Sequence, residues 1–154
     1  GEGFGILMSE LPRERTMIAA VALAGAEASL AWAAGYVRER EAFGKPLAVL
    51  QNTRFKLAEL RTEVDVGRVF IDHCIDALAE GRLDAVRAAK AKYWLTELQG
   101  RACDVGVQLH GGYGYMAEYP IARAWADARV QRIYGGANEI MLEIVARSFL
   151  GRAD

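Results

Sequence analysis

The chain has 154 residues, 53% of them hydrophobic and 25% charged, and carries a net charge of −1. That suits one domain with a real core and argues against a disordered chain. No basic block is present to attract nucleic acid, and no uninterrupted apolar run is long enough to span a bilayer, so neither nucleic acid nor a membrane is an expected partner.

The chain opens on "GEGFGILMSELPRER", which has neither an initiator Met nor the pattern of a signal peptide. Residues 1–11 read as a mid-protein linker in a longer polypeptide, and 12–154 as the folded domain. Pro12 suits an early helical position, because its missing N–H has no partner in a first turn. The first helix then runs to about Arg40. Its middle, "IAAVALAGAEASLAWAAG", is rich in Ala and Gly and apolar nearly all round, which predicts a buried helix that neighbours approach closely. Gly44 and Pro46 in "AFGKP" stop it.

A second helix is predicted from about Leu50 to Glu80, with Gly81 as its end. Phe55, Leu57, Leu60, Val64, Val69, Ile71, Ile75 and Leu78 follow helical spacing along it. Asp84 suits the N-cap of a third helix running to about His110. A fourth starts near Pro120 and ends near Arg132. The turn "YGGANE" then feeds a last helix from Asn138 to Leu150, stopped by Gly151. No run alternates long enough to predict a strand. The fold class is therefore all-α, an antiparallel bundle of three long helices plus two shorter ones. Cys74 and Cys103 both fall inside helical patterns and read as reduced, buried thiols of an intracellular protein.

Several chemistries find no residues to carry them. His73 and His110 are the only histidines, and neither follows a Glu at the Glu-x-x-His spacing of a di-iron bundle. There is no Cys-x-x-Cys zinc pattern, so no metal is expected. No Ser or Cys can be matched to a His base. "HGGYGY" lacks the βαβ surroundings of a dinucleotide fingerprint, and His110 reads as a packed turn residue rather than a catalyst. On spacing alone the reading stops at an intracellular helical bundle that associates with copies of itself.

Two separated motifs carry it further. "REREAFGKPLAVLQ" (38–51) and "QLHGGYGYMAEYPIARAWADARVQRIYGGANEI" (108–140) resemble the carboxyl-terminal helical domain of acyl-CoA dehydrogenases. These flavoenzymes introduce an α,β double bond into an acyl-CoA thioester. The resemblance covers nearly the whole chain and implies FAD as cofactor, an acyl-CoA substrate, a homotetramer, and electron-transfer flavoprotein as electron acceptor. It also implies that a middle β domain precedes residues 1–11, and a location in the bacterial cytoplasm or the mitochondrial matrix, the cytoplasm preferred.

Residue roles follow from the same resemblance. Arg40 reaches the FAD pyrophosphate, Phe43 packs on the cofactor and Gln51 hydrogen-bonds nearby, all three on a neighbouring subunit's FAD. Gln108, Gly111 and Gly112 line its adenosine-pyrophosphate end, where glycine lets backbone approach. Many members carry the catalytic base as a Glu directly after the residue matching Tyr134. Here that position is Gly135, which cannot take a proton. The long-chain and isovaleryl-type subgroup instead carries the base on the first helix of this domain, and the matching residue is Glu14.

Glu14 is thus implied to remove the α proton while the β hydrogen leaves as hydride to the flavin. The Gly135 N–H donates to the thioester oxygen, and Tyr134 and Gly136 flank it at the substrate. Glycine at 135 also leaves space, which suits a longer or bulkier acyl chain. Arg15 helps shape the thioester site, with a structural ion pair as its other reading. Ala137, Asn138 and Glu139 stand on the cofactor side, where Ala137 lacks the Thr hydroxyl of the common pattern. Two competing readings are an oxidase of the same superfamily, told apart by rapid reoxidation of reduced flavin in air, and a non-catalytic assembly module, against which Glu14 argues.

Overall fold

The computed structural model describes residues 1–152. Helix α1, Gly3–Glu39, is longer than the sequence predicts. The linker expected over 1–11 is helical from Gly3 onward, and Pro12 lies inside the helix rather than in its first turn. Proline removes one intrahelical bond. One lost bond does not end a helix when strong helix formers such as Leu7, Met8 and Leu11 lie before it. The Pro12 carbonyl is used, accepting the Thr16 hydroxyl at 2.9 Å.

The middle of α1 buries Ile18, Ala19, Ala22, Leu23, Ala26, Leu30 and Ala33. Burial all round holds for one side only, since Met17, Val21 and Trp32 remain exposed. By length and composition α1 is apolar enough to cross a membrane. In the fold its apolar side closes on α3, Ala85–His110, its principal neighbour, whose Ala88, Ala91, Leu95, Leu98 and Ala102 are buried. The small residues keep the two axes close.

Between α1 and α2 (Gln51–Ala79) lies a hairpin of two short strands, β1 (Glu41–Ala42) and β2 (Lys45–Pro46), then a 3-10 turn over Leu47–Val49. Phe43 and Gly44 at its tip both have positive φ, 54° and 73°, as a two-residue type I′ loop requires. On α2 the buried positions Leu60, Val64, Gly67, Ile71, Cys74 and Ala77 form one stripe. Phe55, Val69 and Ile75, counted with that stripe from the sequence, instead stand exposed on another side. Gly81 ends α2 as expected. Its N–H donates to Leu78 and the Arg82 N–H to Ala77, which satisfies two of the carbonyls left free at the helix end.

Asp84 caps α3, its carboxylate accepting the Arg87 N–H at 2.7 Å. A 3-10 turn, Gly111–Tyr115, leads towards α4 (Pro120–Val130), and the glycine turn leads into α5 (Asn138–Leu150). The architecture is the antiparallel bundle of three long and two shorter helices read from the sequence. Cys74 and Cys103 are free and buried, also as read.

Candidate active site

The turn from Tyr134 to Asn138 lies against α1 and α3. Gly135 and Gly136 have φ of 65° and 101°, left-handed conformations that a side chain disfavours. A Cβ built on Gly135 would stand 4.0 Å from the Glu14 Oε1 and 2.4 Å from the Ile18 Cδ1. The two positions from which a base could arise, on the helix and on the turn, therefore face one spot. Glu14 itself is exposed on the open side of α1. The space expected beside Gly135 is not open, because the end of Ile18 fills it. A longer acyl chain gains nothing from that glycine at its Cβ.

Arg15 is buried, 7% exposed, and its Nε donates to the Gly135 carbonyl at 3.1 Å. It forms no ion pair among the described residues, so its position is set by the turn. Burial lowers its proton affinity, and the Glu14 carboxylate partly offsets this. Lys92 of α3, fully buried, donates to the Gly136 carbonyl and to the Asn138 Oδ1, each at 2.8 Å. Burial, with the Arg15 charge adding to it, brings its pKa down to about 8, so it is mostly protonated at neutral pH. Asn138 Nδ2 donates in turn to Thr96 at 3.0 Å and Glu97 at 2.8 Å. Glu97 also pairs with Arg132 at 3.4 Å.

Sequence reasoning missed Lys92, Thr96 and Glu97. Lysine in "AAKAKYW" reads as a solvated helix face. The signal was its place in the series Ala88, Lys92, Leu95, Gln99 and Cys103, whose spacing marks the buried face of α3. Asn138 was placed at the cofactor side, yet its side chain is turned inward and occupied. Ala137 is the N-cap of α5 without a side-chain cap bond. Glu139 and Tyr134 are exposed beside the turn.

The other motif forms a second locus. Arg40, Gln108, Gly111 and Gly112 line one open cleft of about 550 Å³ with Tyr36 and Tyr113. The Arg40 guanidinium lies 6.0 Å from the centre of the Tyr113 ring. Open space surrounds the Cβ positions of Gly111 and Gly112, so the cleft meets bare backbone there. Gly114 differs, for a Cβ there would stand 2.3 Å from the Val107 carbonyl oxygen; that glycine serves packing. His110 is buried, stacked on Tyr36 at 4.1 Å, with its Nδ1 2.7 Å from the Gly106 carbonyl, a packed residue as read. Gln51 and Phe43 do not line the cleft. Gln51 is exposed at the start of α2, and Phe43 is 99% exposed at the hairpin tip.

The sequence model of the family described as "Acyl-CoA dehydrogenase, C-terminal domain" matches residues 1–150. The mitochondrial long-chain specific acyl-CoA dehydrogenase of Rattus norvegicus is 51% identical over 149 residues, covering 97% of this chain and 35% of that protein. The crystal structure of an acyl-CoA dehydrogenase from Geobacillus kaustophilus superposes with a TM-score of 0.94 at 42% identity, over 96% of this chain and 39% of that one. The butyryl-CoA dehydrogenase of Megasphaera elsdenii gives 0.93 at 39% identity, over 97% of this chain and 39% of that one. The chain spans about a third of the length of the curated relatives it matches.

Proposed function

This chain belongs to the acyl-CoA dehydrogenase family, as its carboxyl-terminal domain, and from that premise we propose that the protein it forms part of oxidises acyl-CoA thioesters to α,β-enoyl-CoA. The observation that carries the proposal is the convergence of Glu14 and the Gly135 position on one spot. A protein that had lost the reaction would have no reason to keep a carboxylate there once the turn had lost its own. In this reading Glu14 takes the α proton. The Gly135 N–H donates to the thioester oxygen as negative charge develops on it, and without that donor a carboxylate is too weak a base for the step.

FAD suits the donor set of the second cleft, which offers a guanidinium, the Gln108 amide and bare glycine backbone for a pyrophosphate. Held there, FAD would supply the acceptor for the β hydrogen and its electron pair. Arg40 caps the end of α1 and Glu14 lies 26 residues before it, roughly 39 Å away by helix rise. One dinucleotide does not span that distance, which supports the reading that each chain serves two cofactors, its own at Glu14 and a neighbour's at Arg40. The exposed Phe43 at its strained tip suits a contact completed by another subunit. Exposed Phe55, Val66 and Val69 on α2 suit association into a homotetramer. Electron-transfer flavoprotein is the acceptor that fits a dehydrogenase. We place the protein in the cytoplasm or the mitochondrial matrix.

The experiment is anaerobic mixing of the full-length protein with a series of acyl-CoAs. Bleaching of the flavin absorbance is expected, and no bleaching with any chain length would refute the reading. Arg40→Ala is expected to weaken FAD retention about ten- to a hundred-fold, the value of one charge-assisted contact of about 1.5–3 kcal/mol. Equilibrium dialysis of the folded variant measures it. Unchanged retention would return Arg40 to a surface role.

A further inference from the structure

The turn that faces Glu14 contains two consecutive glycines, the residues with the greatest backbone freedom. Left alone, such a turn would wander among conformations, and a misplacement near 1 Å can cost about a hundred-fold in rate. The amides of Gly135, Gly136 and Ala137 make no hydrogen bond among the described residues, whereas the carbonyls of Gly135 and Gly136 are both taken by cations. In a trans peptide the N–H points away from the C=O. Fixing two successive carbonyls onto Arg15 and Lys92 therefore turns the amides of Gly136 and Ala137 the other way, and holds Gly135 from its carboxyl side.

We infer that Lys92 is a positioning residue for the reaction: from inside the bundle it clamps the Gly136 carbonyl and Asn138, so that the turn is fixed on the carboxyl side of Gly135 and the Gly135 N–H is held where it meets the thioester oxygen. The inference rests on the functional reading above. Lys92 meets no substrate, being fully buried behind the turn. Two carboxylates favour its charge, Glu139 from α5 and Glu97 from its own helix, while burial and the like charge of Arg15 from α1 oppose it. Asn138 is the second arm. Its backbone N–H bonds the Arg132 carbonyl at 3.0 Å, and its side chain joins Lys92 to Thr96 and Glu97, so the clamp ties the turn that follows α4 to the start of α5 and to α3.

The test uses Lys92→Met in the full-length, FAD-loaded protein, which keeps the side-chain volume and removes charge and donors. The probe is dimethylaminocinnamoyl-CoA, whose absorption moves to the red as its thioester oxygen is more strongly hydrogen-bonded. The wild type is expected to shift it, and Lys92→Met to lose at least half of the shift. Affinity for a saturated acyl-CoA should stay within about three-fold, while single-turnover flavin reduction slows about ten- to a hundred-fold. Lys92→Gln, which keeps one donor, is expected to fall between, and it decides the matter if the Met variant does not fold. A wild-type red shift and rate in either folded variant overturns the inference. If instead the wild type is bleached by no acyl-CoA, the functional reading falls and this inference with it. Bleaching that proceeds normally beside unchanged variants sinks this inference alone.

Discussion

Replacing Glu14 by Gln in the full-length protein is expected to leave folding, FAD binding and acyl-CoA binding intact and to slow flavin reduction about 10²–10⁴-fold. The amide has the shape of the carboxylate and cannot take a proton. Few groups nearby could stand in. Glu97 is tied to Asn138 and Arg132 on the far side of the turn. Glu10 lies one turn away and pairs with Arg13 at 3.8 Å. Single-turnover mixing under anaerobic conditions measures the rate, and tight binding with almost no bleaching is the expected record. A wild-type rate would mean that the base lies outside this chain.

The second large effect is a rescue. Glu14→Gly alone is expected to be as inactive as Glu14→Gln. Adding Gly135→Glu should recover a measurable fraction, because both side chains start within reach of one spot. Two costs make the recovery partial. A non-glycine residue at φ of 65° is disfavoured by about 1–2 kcal/mol. The new Cβ also meets the Ile18 Cδ1 at 2.4 Å, so Ile18 must move. Ile18→Val removes that methyl and should raise the recovered rate further. We expect the triple variant to exceed Glu14→Gly by about ten-fold and to stay well below wild type, since a misplaced base recovers only part of the rate. Flavin reduction across several acyl-CoAs reads it. A folded, FAD-loaded triple variant no faster than Glu14→Gly would separate the two positions and remove the main support for Glu14 as the base.

Most helix ends were legible in the sequence because local chemistry sets them. Asp84, Gly81, Pro120 and Gly151 each mark a boundary through a cap, a left-handed residue or a missing N–H. The start of α1 was not legible, since proline inside a helix and proline at its first turn look alike in a sequence. What decides between them is whether the preceding residues continue the helix, and "GFGILMSEL" does so while its side chains stay largely exposed. The pairing of Glu14 with Gly135 could be read only through the family resemblance. Its geometry depends on how α1 meets the end of α4, which no spacing encodes. Lys92 was hidden for a different reason. A buried cation is rare enough that composition argues against it, and only the carbonyls it serves, contributed by a turn more than forty residues further along the chain, make its burial tolerable.

Helix α1 joins the two loci without a break, and this constrains how the gene can vary. Each residue added to an α-helix turns everything beyond it by about 100° and carries it about 1.5 Å further. A single-codon insertion between Glu14 and Arg40 would swing one locus about a quarter-turn out of phase with the other, even if every side chain were kept. Drift in that stretch is therefore confined to replacement, and length changes among relatives should collect in the hairpin around Phe43 or after Leu150, where no downstream phase depends on them.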